Sequence, residues 1–133
     1  DVLGILATTP HNDERIIVSI DKDLKQIPAL ISRDGRTVEK ISKKEADYWF
    51  MVQTMAGDST DGYSGVPKVG VKTAEKILGD NNVPLLELWK KVLATYDKAG
   101  YSEKEALQQA RVAHILTNKD YNKKTGKVKL WRI

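Results

Sequence analysis

The sequence predicts an α/β fold, a short stretch of parallel sheet followed by a helical subdomain, and three observations carry the prediction. "RIIVSID" (residues 15–21) is an apolar run ending on acid, the pattern of a buried parallel strand. From Ser42 the apolar residues recur at helical intervals instead. "SGVPKVGVKTAEKIL" (64–78) then joins a glycine-rich turn to a lysine-bearing helix. At 133 residues, 41% of them hydrophobic, the chain has the size and composition of one modest globular domain.

The elements follow in order. "DVLGILATT" reads as the middle of a helix with no capping signal before it, and the chain opens without Met, so a piece of something longer is expected. After the strand, "DKDLKQIPALI" leaves through a short helical turn that Pro28 stops. Two short apolar runs around Asp34-Gly35 predict a tight hairpin. Ser42 and Glu45 predict a capping box for a helix bearing Ala46, Trp49, Phe50 and Met55 on helical spacing. A second helix is expected from about Lys72 to Leu78, stopped by Gly79, and a third from Pro84 with Leu85, Leu88, Trp89 and Val92 on one face. A fourth starts at Ser102, capped with Glu105, and runs to about Leu116. The tail "NKDYNKKTGKVKLWRI" is lysine-rich, with a terminal strand or hairpin near Val128–Trp131.

Without cysteine the chain has no disulfide, thiolate metal site or Cys nucleophile. Its 22 Lys and Arg against 18 Asp and Glu give a net charge of +4, which favours a polyanionic partner. No apolar run is long enough to span a membrane and no signal peptide opens the chain, so an intracellular, cytoplasmic setting is expected.

Two acidic pairs carry the chemistry. Asp21 and Asp23 stand two apart after the strand, where open α/β sheets place ligands. Asp58 and Asp61 stand three apart at a helix end, and Asp1 is a fifth candidate. Gathered together, such carboxylates repel unless a cation neutralises them. With oxygen ligands and only His11 and His114 besides, Mg²⁺ or Mn²⁺ fits better than zinc. Two such ions about 3.5 to 4 Å apart would clamp both oxygens of a phosphoryl displacement. The plainer readings are an N-cap for Asp21-x-Asp23 and a turn for "GDSTDG".

The glycine-rich turn has a matching logic. Gly65 and Gly70 let backbone approach a phosphate, amides at the start of the next helix, by Lys72 and Thr73, favour an anion, and Lys68, Lys72 and Lys76 add charge. Such contacts hold a nucleic-acid backbone without reading bases. Solvated lysines on an ordinary turn are the alternative. Trp49, Phe50 and Trp89 read as core residues, Tyr63 as a candidate substrate contact, and His11 and His114 as surface and helix-face residues without a catalytic role.

"SIDKDLKQI" followed by "GDSTDGYSGVPKVGVKTAEKIL" resembles the 5′→3′ exonuclease and flap endonuclease family, including phage exonucleases and the 5′ nuclease domains of family A DNA polymerases. "DVLG" resembles the end of that family's Glu-Ala-Asp-Asp-Val-Leu-Gly segment. The resemblance covers about residues 1–80, with "ARVAHILTNKDYN" similar to the phage branch. It implies the C-terminal part of a Rossmann-like 5′ nuclease domain over 1–41 and a helical DNA-binding subdomain over 42–133, with a helix-three-turn-helix of the helix-hairpin-helix type at about 55–80 and a basic tail. Asp1 would match the last acid of the first-metal cluster, and Asp21, Asp23, Asp58 and Asp61 the ligands nearer the second metal. The turn from Gly65 to Gly70 would match the duplex grip, where family members also hold a monovalent cation, usually K⁺. Lys68 stands where the family has Gly, and Val71 where it often has Pro.

The expected function is Mg²⁺-dependent hydrolysis of phosphodiester bonds at a 5′ end or flap of duplex DNA by two metals, the remaining ligands coming from an N-terminal half outside this sequence. A duplex DNA-binding module without chemistry is the alternative.

Overall fold

The computed structural model describes residues 2–10 and 15–133. Asp1 and His11, both named above, lie outside them. α1 (Val2–Thr8) leads to β1 (Ile16–Val18), and a 3-10 turn at Lys22–Gln26 carries the chain to β2 (Leu30–Ser32), which lies parallel to β1 with Ile17 opposite Ile31. β3 (Glu39–Lys40) returns antiparallel to β2, Ile31 opposite Glu39. Four helices follow: α2 (Lys43–Ala56), α3 (Val71–Leu78), α4 (Leu85–Lys98) and α5 (Glu103–Ala113). The result is a helix-rich α/β chain with a small sheet in the order β1-β2-β3.

The core forms two clusters that meet on α2. Ile17, Leu24, Ile27, Ile31 and Ile41 pack with Ala46 at its start. Further along, Phe50, Met51, Val52 and Met55 join Leu78, Leu88, Val92 and Tyr96 from the other helices. α2 is buried on nearly every side because its sequence is apolar or uncharged almost all round after its first turn. The polar groups it buries are satisfied: the Tyr96 hydroxyl donates to the Thr54 carbonyl at 2.6 Å, and the Tyr48 hydroxyl to that of Gly79 at 3.1 Å.

Several elements differ from the sequence reading. β1 is parallel but not buried: Ile17 faces the core, while Ile16 and Val18 are exposed and Ile20 is 80% exposed. It is an edge strand among the described residues, and its outer face is left open there. The link between β2 and β3 spans 33–38, wider than a tight two-residue turn, because the Asp34 carboxylate accepts the N–H groups of both Arg36 and Thr37. Those two amides hold its carboxyl below the usual carboxylate range. Ser42 caps α2 by accepting the Glu45 N–H, whereas both halves of the capping box form only at Ser102 and Glu105. α5 ends at Ala113 and not at Leu116, because Gln26 takes the Ala113 carbonyl (3.0 Å) and the Ile115 N–H (3.3 Å), drawing the chain off the helix. At the C-terminus, of the strand or hairpin expected, the chain forms the hairpin, closed by the antiparallel Tyr121–Val128 bridge without a named strand.

Candidate functional site

Asp23, Asp58 and Asp61 come together: each offers a carboxylate oxygen within 4.8 Å of the others. Asp23 rides on the 3-10 turn, which packs on α2 and is tied to the end of α5 through Gln26. Asp58 and Asp61 lie on the loop that follows α2. That loop is closed on itself, with Asp58 and Tyr63 exchanging backbone hydrogen bonds (2.9 and 3.2 Å) and the Asp61 N–H donating to the Asp58 carbonyl at 3.2 Å.

Two glycines permit this closure. Gly57 (φ 72°) and Gly65 (φ 63°) sit against each other's backbone, so that a Cβ on either would overlap main-chain atoms of the opposite strand of the loop. The Gly65 N–H donates to Gln109 Oε1 on α5 at 3.0 Å. Gly65 is therefore buried, and it closes the loop rather than presenting an amide outward. Tyr63, a candidate substrate contact in the sequence, is 5% exposed and donates its hydroxyl to Gln53 Oε1 at 3.1 Å. Burial pushes that hydroxyl well above the usual tyrosine range, and the negative charges of Asp23, Asp58 and Asp61 push it the same way. It is a neutral prop beneath the carboxylates.

Asp21 stands apart from this trio. It caps the 3-10 turn, one carboxylate oxygen accepting the Asp23 N–H at 3.0 Å. It nevertheless lines the same cavity of about 450 Å³ as Asp23, Asp61, Ser19 and His114. The sequence reading gave His114 a helix face and no catalytic role; it sits just past the end of α5, as its C-cap. Its Nε2 lies 3.1 Å from Asp120 Oδ2, and its ring packs on Phe50. A His at a helix end followed by Asp six residues on is the signal that was present. A larger cavity of about 590 Å³ also includes His114, but its carboxylates are engaged, Asp47 with Lys43 at 2.7 Å and Asp120 with His114. Of the three gathered carboxylates, Asp23 and Asp61 line the smaller cavity, and Asp58 lines another.

The described trio fits a hard divalent ion in its donor set, three oxygens and neither sulfur nor imidazole, and in the repulsion that a cation would relieve. Past the loop, Lys68, Gly70, Lys72, Thr73 and Lys76 are all exposed. Gly70 is the N-cap of α3 and offers no side-chain cap, which leaves the first amides of that helix without a partner from its cap residue.

Fold and site thus define a helix-rich α/β chain with three gathered carboxylates and, further along the chain, a helix start flanked by exposed lysines. The chain is 31% identical over 163 aligned positions to an exodeoxyribonuclease of Enterobacteria phage T3, covering 98% of this chain and 54% of that protein. It is 30% identical to an exonuclease of Escherichia phage T7, covering 99% and 54%, and 31% identical to flap endonuclease Xni of Shewanella halifaxensis, covering 84% and 47%. The chain is related to the 5′→3′ exonucleases and flap endonucleases, as its motifs indicate. It spans about half the length of the curated relatives it matches. No protein-family model and no solved structure matches it.

Proposed function

We propose that this chain is the metal-binding and DNA-gripping part of a 5′→3′ exonuclease or flap endonuclease that hydrolyses phosphodiester bonds near a DNA 5′ end. The observation that carries the reading is the gathering of Asp23, Asp58 and Asp61 in a chain similar to phage exonucleases along its length. In this reading those three carboxylates, with Asp21 on the cavity that Asp23 and Asp61 line, hold Mg²⁺ or Mn²⁺. Asp1 and an N-terminal half bring the ligands for a second ion. Bound there, divalent metal supplies charge neutralisation at the phosphoryl oxygens and a water made nucleophilic at neutral pH.

The chain's own residues hold the substrate. The free amides at the start of α3, with Lys68, Lys72, Thr73 and Lys76, bind phosphates of the duplex and fix its register. Gln53 and Gln109 keep the loop bearing Asp58 and Asp61 in shape, through Tyr63 and Gly65. A K⁺ on the carbonyls of the 65–70 turn belongs to the same grip.

The test is digestion of a 5′-labelled flap DNA with Mg²⁺ or with EDTA, by the chain alone and joined to an N-terminal half. Cleavage is expected only in the joined protein with Mg²⁺. There Asp58→Ala and Asp23→Ala should each lower kcat by at least about a hundredfold, the loss of roughly 3 kcal/mol of transition-state stabilisation, and leave duplex affinity unchanged. Wild-type cleavage by either variant would remove that residue from the metal site. A second reading, a duplex-binding module without chemistry, is favoured by one observation: Asp21 spends a carboxylate oxygen on its own backbone. It predicts salt-sensitive binding without cleavage by the joined protein.

A further inference from the structure

We propose that the turn at residues 119–129 is a second contact for the phosphate backbone of duplex DNA, separate from α3; the proposal rests on the DNA reading above. From residue 117 to the end the chain carries Lys119, Lys123, Lys124, Lys127, Lys129 and Arg132 against one acid, Asp120. That acid is turned inward, accepting the Thr117 N–H and hydroxyl (both 2.9 Å) and facing His114 Nε2 at 3.1 Å. The six cations are therefore left without local neutralisation, and all are exposed.

Several lysines elsewhere are engaged. Lys43 pairs with Asp47, Lys44 donates to Asn82, Lys91 donates to the Leu78 carbonyl, and Lys25 lies over the Trp49 ring at 4.5 Å. Among the described residues no side-chain hydrogen bond or ion pair holds the lysines of the turn.

The usual account of such a run is a solvated tail, and the backbone argues against it. The Asn122 N–H donates to the Lys127 carbonyl (3.0 Å), the Gly126 N–H to that of Asn122 (2.8 Å) and the Lys129 N–H to that of Asp120 (2.7 Å). Just beyond, the Trp131 ring meets Phe50 and Trp89 edge-on at 4.9 and 5.0 Å, and its carbonyl accepts Arg111 Nε at 3.0 Å. Solubility requires no such anchoring. Holding like charges together on a fixed turn costs repulsion that a polyanion relieves. The location fits as well: His114, which holds Asp120 at the base of the turn, lines the acidic cavity. A fixed set of lysines tethered to that wall suits the evenly spaced phosphates of a duplex running past the carboxylates.

The experiment is fluorescence anisotropy of a labelled duplex against the 133-residue chain across a salt series. Variants are Lys123→Ala with Lys124→Ala and Lys127→Ala, the same three changed to Arg, and Lys72→Ala with Lys76→Ala. The alanine triple should weaken binding at least about tenfold on any sequence and flatten the slope of log affinity against log salt by about 2 to 3, near 0.9 per lost phosphate contact. The arginine triple should keep wild-type binding, and losses from the turn and α3 should multiply. Wild-type affinity and slope in the alanine triple, with Lys72→Ala and Lys76→Ala still weakening, would overturn the second contact alone. No duplex binding by the wild-type chain would overturn both readings.

Discussion

Lys68 holds the single left-handed non-glycine backbone among the described residues, φ 64°. That region brings a Cβ against the carbonyl and costs an L-residue about 1 kcal/mol or more. Lys68→Gly should therefore stabilise the fold by up to about 1 kcal/mol, after part of the relief is offset by glycine's greater freedom when unfolded. The same change removes an exposed cation from the turn before α3, so duplex affinity should fall. Thermal melting and duplex binding on one preparation check both halves. A glycine variant that melts no higher would mean the turn carries no strain at this position, and unchanged affinity would remove Lys68 from the grip.

Among the elements, the two Ser-x-x-Glu starts share a sequence pattern and differ in structure. At α5 the Ser102 hydroxyl accepts the Glu105 N–H (3.2 Å) and Glu105 Oε2 accepts the Ser102 N–H (2.9 Å); at α2 Ser42 makes only the first kind of bond. Ser102→Ala should cost about 1 kcal/mol, a fall of a few degrees in Tm. Glu105→Ala should cost a few tenths, and Glu45→Ala nothing beyond its helix propensity, as thermal melts of the three would resolve. Equal losses for the two glutamates would mean that both boxes close in solution. Helix starts and the stop of α3 were legible because capping and Gly79 act locally. The exposure of β1 was not, since "IIVS" reads as buried only if both faces of the strand are covered, and that is decided by distant chain. The early end of α5 was hidden for the same reason, being set by Gln26 far upstream.

At the scale of the whole molecule, the carboxylates were legible as residue types and only partly as a site. Spacing brought out Asp58 and Asp61, whose loop closes locally, and paired Asp21 with Asp23, although the structure brings Asp23 to that loop and gives Asp21 a capping bond. His114 and Asp120 were invisible as a pair, because what gives them meaning is the chain's return toward its start. The Asn118 N–H reaches Thr8 on α1 (2.8 Å), while Asp120 binds Thr117 and His114. Burial raises the Asp120 carboxyl, but the Thr117 amide, the His114 ring and the Thr117 hydroxyl outweigh it and hold it below its ordinary value of 3.8. Its proton therefore binds more tightly in the unfolded chain than in the folded one. The stability it contributes is complete above the ordinary value and is lost as pH falls through the depressed folded value. Asp120→Asn should lower Tm at neutral pH and lose less on acidification, so the two curves of Tm against pH converge below 3.8. Parallel curves would show that Asp120 contributes no such linkage, and a variant as stable as wild type at neutral pH would show that the Asp120 carboxylate does not hold the C-terminal turn in place.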